Sequence, residues 1–259
     1  MEFTLLSFHH VKTVSFWFLI GLCGYSFIPT VIVRGIGGKS FYKRNRSTGI
    51  ALTFDDGPDP TYTPQLLDLL RKYRIQAAFF VLGSKAEQHP ELIKRMQDEG
   101  HLIGIHNYRH WSNALLTPKR VRKQLQDTEN VIVGITGSKP MYYRPPWGVI
   151  NVFDFLLARK YQFVLWTLMV KDWRCSGGKE RIKRKLLARL KHNDIIVLHD
   201  SGQTLGADRF APRYMLEALE EFLAECKRKE LVFLRVDDKI RLEAKQAEYV
   251  QHSSQNIEV

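Results

Sequence analysis

Five short stretches of the 259-residue chain place ionisable or aromatic side chains where an apolar run ends. Thr53-Phe54-Asp55-Asp56-Gly57-Pro58 sets two adjacent carboxylates at a strand-to-loop turn. Such a turn can swing both toward one pocket, although acidic pairs in loops are usually solvated. His106-Asn107-Tyr108-Arg109-His110 offers two imidazoles four residues apart. That spacing puts both on one side of a helical turn and suits metal capture, and it also occurs on ordinary surfaces. In Arg144-Pro145-Pro146-Trp147-Gly148 two prolines stiffen the chain beside an arginine. Asp172-Trp173 supplies a loop aromatic, suited to a sugar platform or to packing. Ile195-Ile196-Val197-Leu198-His199-Asp200 is an apolar strand ending in an imidazole, which suits acid–base work or a satisfied core position.

The elements that carry these stretches are legible from periodicity. Strand-like runs cover Gly49–Phe54, Ala77–Leu82, Leu102–His106, Met141–Arg144, Phe163–Trp166, Ile195–His199 and Leu231–Val236. Helix-like stretches alternate with them at Pro64–Arg74, Glu91–Glu99, Pro118–Gly134, Phe153–Lys160, Glu180–Lys191 and Arg213–Lys229. Thr63 followed by Pro64 reads as an N-cap with Pro at N1. The alternation predicts an α/β fold with a parallel sheet, closed or nearly closed as a barrel. In such folds chemistry gathers at the strand ends, where all five motifs fall.

Before this region, Thr13–Val33 runs 21 residues without a formal charge, between Lys12 and Arg34. That length matches one crossing of a hydrocarbon core about 30 Å thick. No small-residue cleavage site follows it, which favours a retained anchor over a signal peptide. The organisation expected is a short segment 1–12, an anchor 13–33, a basic linker 34–48, a domain 49–238 and a polar tail 239–259. The basic flank Arg34–Arg46 argues for a cytoplasmic domain by the positive-inside rule, a rule that long translocated domains override. With 44% hydrophobic and 12% aromatic residues the chain fills a core, which excludes a disordered or fibrous protein. The net charge of +12 suits membrane headgroups or an acidic wall polymer, and no nucleic-acid motif accompanies it. Cys23, Cys175 and Cys226 exclude a zinc ribbon and leave a Cys175–Cys226 pair open.

Taken in order, TFDDGP, HNYRH, RPPWG, DW and VLH resemble the motifs of the polysaccharide deacetylase family, the NodB-homology domain of carbohydrate esterase family 4. The resemblance covers about Ile50 to Val236. It implies a distorted (β/α)7 barrel, here behind one transmembrane helix, that removes N-acetyl groups from amino sugars. On that resemblance Asp56, His106 and His110 hold one divalent metal. Zn2+ fits such N and O donors, with Co2+ or Ni2+ as alternatives. Asp55 is then the general base, Arg144 its partner, and His199 the acid that protonates the leaving amine. Trp147, Trp173 and Val197 bind substrate. The implied partner is an amino-sugar polysaccharide such as peptidoglycan, a chitin-like oligomer or poly-N-acetylhexosamine, and the implied location is a bacterial cell membrane with the domain outside.

Three positions depart from the family pattern. Asn107 stands where Ser or Thr is usual, Val197 where Leu is usual, and Met169 where D-x-x-D-W begins with Asp. That last change predicts a His199 short of carboxylate support unless Asp172 or Asp200 supplies it. It keeps open a carbohydrate-binding homologue with impaired turnover, and the basic flank Arg34–Arg46 keeps open a deacylase of a lipid-linked amino sugar at the membrane.

Overall fold

The computed structural model describes residues 2–36, 41–42, 49–242 and 244–245. Eight parallel strands form one sheet: β1 (Phe41–Tyr42), β2 (Ala51–Asp55), β3 (Ala78–Val81), β4 (Leu102–Ile105), β5 (Tyr142–Tyr143), β6 (Gln162–Val164), β7 (Leu168–Met169) and β8 (Ile195–His199). Their spatial order is β1-β6-β5-β4-β3-β2-β8-β7. The sheet curls as a half-barrel with β1 and β7 as its edges, and the seven strands after β1 make up the expected barrel-like domain. Central strands such as β2 and β3 are buried at every position, as a parallel sheet covered on both faces demands.

The helices that accompany the sheet are α1 (Glu2–Leu22), α2 (Ile28–Ile36), α3 (Thr63–Tyr73), α4 (Gly83–Gln88), α5 (Pro90–Asp98), α6 (Pro118–Thr136), α7 (Asp154–Leu157), α8 (Gly178–Arg189) and α9 (Ala211–Arg228), with a further helical stretch at 236–242. In α3 the buried residues Leu66, Leu67, Leu69 and Leu70 recur at helical spacing, and the main core cluster unites them with Leu219, Phe222 and Leu223 of α9. The Thr117 hydroxyl caps α6, Pro118 opens it and left-handed Gly137 ends it, so three local signals fix its limits.

Several expectations are corrected. Leu231–Val236 is no strand: a single bridge joins Phe233 to Ile50, and residues 236–242 are helical. Its place is taken by β7, whose two residues are too short to show alternation. The short β1 lies inside the stretch read as a linker and pairs with β6. Thr63 is inside α3, where its hydroxyl accepts from the Asp59 N–H and donates to Asp200 instead of capping. All three cysteines are free thiols. Apart from residues 244–245, the tail from Glu243 lies outside the described residues, as does most of the basic linker.

Candidate metal and catalytic site

The motifs converge at the C-terminal ends of the strands. β2 and β8 are paired in register, so Asp55 lies opposite His199. Asp56 follows with φ 74°, a left-handed turn that sends its carboxylate away from the strand direction. Gly57 is required next: a Cβ there would lie 2.4 Å from the Asp200 carboxylate oxygens. His106 and His110 sit on a loop beyond β4, not on the helical turn their spacing suggested. Asn107 reverses that loop at φ 65°, a conformation asparagine tolerates well. Its amide donates to the Trp111 carbonyl (3.1 Å) and to Asn113 (3.1 Å), and it accepts from the Tyr143 hydroxyl (2.9 Å). Asn107 therefore ties the loop down at three points.

Asp56 Oδ1 lies 3.3 Å from His106 Nε2 and 3.2 Å from His110 Nε2. All three groups offer ligand atoms within 4.8 Å of one another. Asp56 Oδ1 is buried and lacks a hydrogen-bond donor, a costly arrangement unless a cation completes it. Its second oxygen accepts from Thr204 Oγ1 (2.6 Å), and His106 Nδ1 meets the Arg144 carbonyl at 2.7 Å, which leaves Nε2 for the cluster. Burial works against an ionised Asp56, but the surrounding imidazoles of His106, His110 and His199 hold its carboxyl well below the usual range. Burial pushes His110 down to about 4 against the pull of Asp56. A charged carboxylate with a neutral imidazole is the protonation state that ligation requires, so these residues fit a divalent cation.

Arg144 is fully buried and locked at four points. It donates to Asp55 Oδ1 (2.7 Å), Thr53 Oγ1 (2.7 Å), the Val164 carbonyl (2.9 Å) and the Leu165 carbonyl (3.4 Å), with its guanidinium 4.2 Å from the Phe80 ring centre. One Asp55 oxygen is thereby aimed by a cation that cannot move.

His199 Nδ1 lies 3.2 and 3.3 Å from the two oxygens of Asp172, and the His199 backbone N–H donates to the same carboxylate at 2.6 Å. Met169 therefore leaves no gap. It pairs with Val197 in the β7–β8 ladder, and the turn beyond it, with Lys171 at φ 59°, carries Asp172 up beside His199. The expected shortage of carboxylate support is corrected by that register.

A polysaccharide deacetylase family model matches residues 42–165. A peptidoglycan-N-acetylglucosamine deacetylase of Bacillus cereus is 36% identical over 201 residues, covering 76% of this chain and 90% of that protein. The chain belongs to the polysaccharide deacetylase family. The peptidoglycan-N-acetylmuramic acid deacetylase PdaA of Bacillus subtilis is 32% identical, over 77% of this chain and 74% of that one. The solved structure of the peptidoglycan deacetylase PdaC from Bacillus subtilis superposes with a TM-score of 0.70 at 32% identity, covering 81% of this chain and 98% of that one. This polysaccharide deacetylase is thus a hydrolase acting on N-acetyl amide bonds.

The remaining residues flank the deacetylase cluster. Trp147, at φ 56°, stacks edge-on against His110 with ring centres 4.3 Å apart. Trp173 stacks edge-on against His199 at 5.2 Å. Val197 is buried two residues before His199 and so shares its face of β8. The structure also brings in Thr204 and Lys85, which motif reading missed, and gives Asp200 a place among them. Besides Thr204, Lys85 donates to the Asp56 carbonyl (2.8 Å) and to Ser201 (2.6 Å). Asp200 is pushed up to about 7 by burial, against Thr63 and Lys85. Asp200 had a visible signal as the neighbour of His199, whereas Thr204 and Lys85 had none.

Of the nine lysines and arginines between residues 171 and 191, Lys179, Arg181 and Lys183 are among those engaged within the fold. Arg181 donates to the carbonyls of Val170, Lys171, Arg174 and Ser176, while Lys179 and Lys183 reach Glu221.

Proposed function

We propose that this enzyme is a metal-dependent N-deacetylase of GlcNAc-type sugars in peptidoglycan, with Asp55 as general base and His199 as general acid. The observation that carries this reading is the β2–β8 register, which pairs Asp55 with His199 at the strand ends that also carry the Asp56-His106-His110 cluster. When bound there, a divalent ion acidifies water toward neutrality and polarises an amide carbonyl. Zn2+ suits the donor set.

Asp55, aimed by Arg144, takes a proton from the attacking water. His199 Nδ1 faces Asp172, so Nε2 is left to deliver a proton to the amide nitrogen as the C–N bond breaks. An amine departs poorly as an anion, and the positioned acid removes that barrier. Acetate and a free amino sugar result. Trp147 beside His110 and Trp173 beside His199 offer apolar walls for the sugar and its acetyl group.

Peptidoglycan is favoured because the relatives quoted above are named for its N-acetylglucosamine and N-acetylmuramic acid units. That substrate lies outside the cell, which favours an extracytoplasmic domain despite the flank Arg34–Arg46. The intact His199–Asp172 pair removes the reason for reading the domain as an impaired binder. The test is acetate release from peptidoglycan and GlcNAc oligomers by the full chain, beside Asp55→Asn and a chelated sample. We expect release that both controls abolish. A folded, metal-loaded enzyme that releases none overturns the proposal.

A further inference from the structure

One helical stretch, His10–Gly35, has the length and composition to cross a membrane. Its C-terminal half is docked on the catalytic domain. A π-turn over Cys23–Phe27 joins α1 to α2 and frees backbone groups. Pro29 has no N–H to give to the Tyr25 carbonyl, which accepts instead from the Val152 N–H at 2.9 Å. Ser26 and Thr30 donate to the Ile150 carbonyl (3.1 and 3.0 Å), and Thr30 accepts from the Ile150 N–H (2.9 Å). The Tyr25 hydroxyl donates to the Leu116 carbonyl at 2.7 Å. Val33 belongs to the main core cluster, and Arg34 stacks on Trp166 at 4.7 Å.

The lengths decide where this contact lies. Thr13–Leu22, the part before the docked half, reaches only about 15 Å, half of a hydrocarbon core of about 30 Å. A frame shifted toward the N-terminus puts Lys12 and two histidines near the bilayer centre, at a cost of about 3 kcal/mol for the lysine alone. The charge-free run Thr13–Val33 reaches about 31 Å, and within it Tyr25 lies about 13 Å short of Arg34. The loops held by Tyr25 therefore fall below the headgroups.

Those loops are built for that depth. Trp111, Leu115, Val152, Phe153, Phe155 and Leu156 are exposed around the docking point, Leu115 by 74% and Leu156 by 55%. The backbone groups nearest the helix, Leu116 C=O, Ile150 N–H and C=O, and Val152 N–H, are all paired with helix residues. Non-helical backbone survives at membrane depth only when so satisfied. On the opposite side of the helix Phe27, Ile28, Val31 and Ile32 remain exposed, which continues the same apolar surface.

We propose that this rim is immersed in the lipid bilayer, so that the catalytic domain is keyed to the membrane surface and does not swing on a tether. The inference rests on reading the helix as a membrane span. Trp147, whose carbonyl accepts from Arg34 and whose ring meets His110, then places the mouth of the site at that surface. Sugars presented at the bilayer are the ones within reach.

The test uses the full chain in phosphatidylcholine–phosphatidylglycerol nanodiscs, with Cys23→Ser, Cys175→Ser and Cys226→Ala. Nitroxides are placed one at a time at Leu115→Cys, Leu156→Cys, Phe18→Cys on the exposed span, and Val232→Cys at the opposite end of the strands. We expect positions 115 and 156 to be several-fold less accessible to a water-soluble relaxation agent than 232, and to approach 18. If 18 is protected while 115 and 156 match 232, the helix spans without docking and the proposal falls. If 18 also matches 232, the span itself fails and the proposal falls with it. Carbene footprinting of the unsubstituted chain gives the same comparison should a cysteine variant not fold. Neither readout needs turnover, so its result is separate from that of the acetate assay.

Discussion

Replacing Asp172 by Asn isolates what its carboxylate does for His199. Asn keeps the size and one oxygen to accept from the His199 backbone N–H, which now donates to the carboxylate at 2.6 Å, so the turn survives. It removes the negative charge 3.2 Å from Nδ1. Burial disfavours the imidazolium, yet the charge and hydrogen bond of Asp172, with Asp56 and Asp55 behind them, lift His199 from 6.5 to about 10. A bound cation offsets Asp56, which leaves Asp172 as the principal support. A hydrogen bond to a charged group contributes about 1.5–3 kcal/mol, so kcat/KM falls about 10- to 150-fold. The sign of the pH effect follows. In the proposed role His199 acts in its protonated form, and losing Asp172 lowers its pKa, so the alkaline limb of the rate profile moves to lower pH. The assay is acetate release against pH, with thermal melting as a check on folding. Met169→Asp is the matched control and leaves the limb in place, because Asp172 already fills that role. An unmoved limb in Asp172→Asn, or a moved one in Met169→Asp, refutes the reasoning.

Thr204→Val removes the donor to Asp56 Oδ2 and weakens metal binding about 10- to 100-fold, read by chelator competition. Arg144→Met leaves Asp55 buried without its cation and lowers unfolding stability by about 3–5 kcal/mol in urea titrations. Asn107→Ala loses three hydrogen bonds and a residue suited to φ 65°, and costs about 2 kcal/mol by the same measurement. His101 accepts from the Ala77 N–H, and burial holds it down at about 4, below its unfolded value of 6.5. Its contribution is full above pH 6.5 and is lost as the pH falls toward 4, about 3 kcal/mol in all, and His101→Gln flattens that part of the stability profile.

The order of the motifs and their places at strand ends were legible from residues alone, because apolar strands and polar turns impose local periods. Ile195–His199 was read with its observed limits, and the helices within a few residues, since α6 carries its cap and stop signals in its own sequence. Which of Asp172 and Asp200 serves His199 was not legible. Asp172 lies 27 residues earlier, and only the pairing of Met169 with Val197 brings it alongside. Strands of two residues, such as β7 and β1, hold too few side chains to show a period and exist because a neighbour completes their hydrogen bonds. Leu231–Val236 erred the other way, a β-rich run left with one bridge to Ile50. Residue types thus determined which chemistry this chain carries. Long-range packing decided which carboxylate orients the acid, which hydroxyl holds Asp56, and how the helix from His10 to Gly35 seats on the domain, because each depends on groups far apart in sequence that meet only when the sheet has curled.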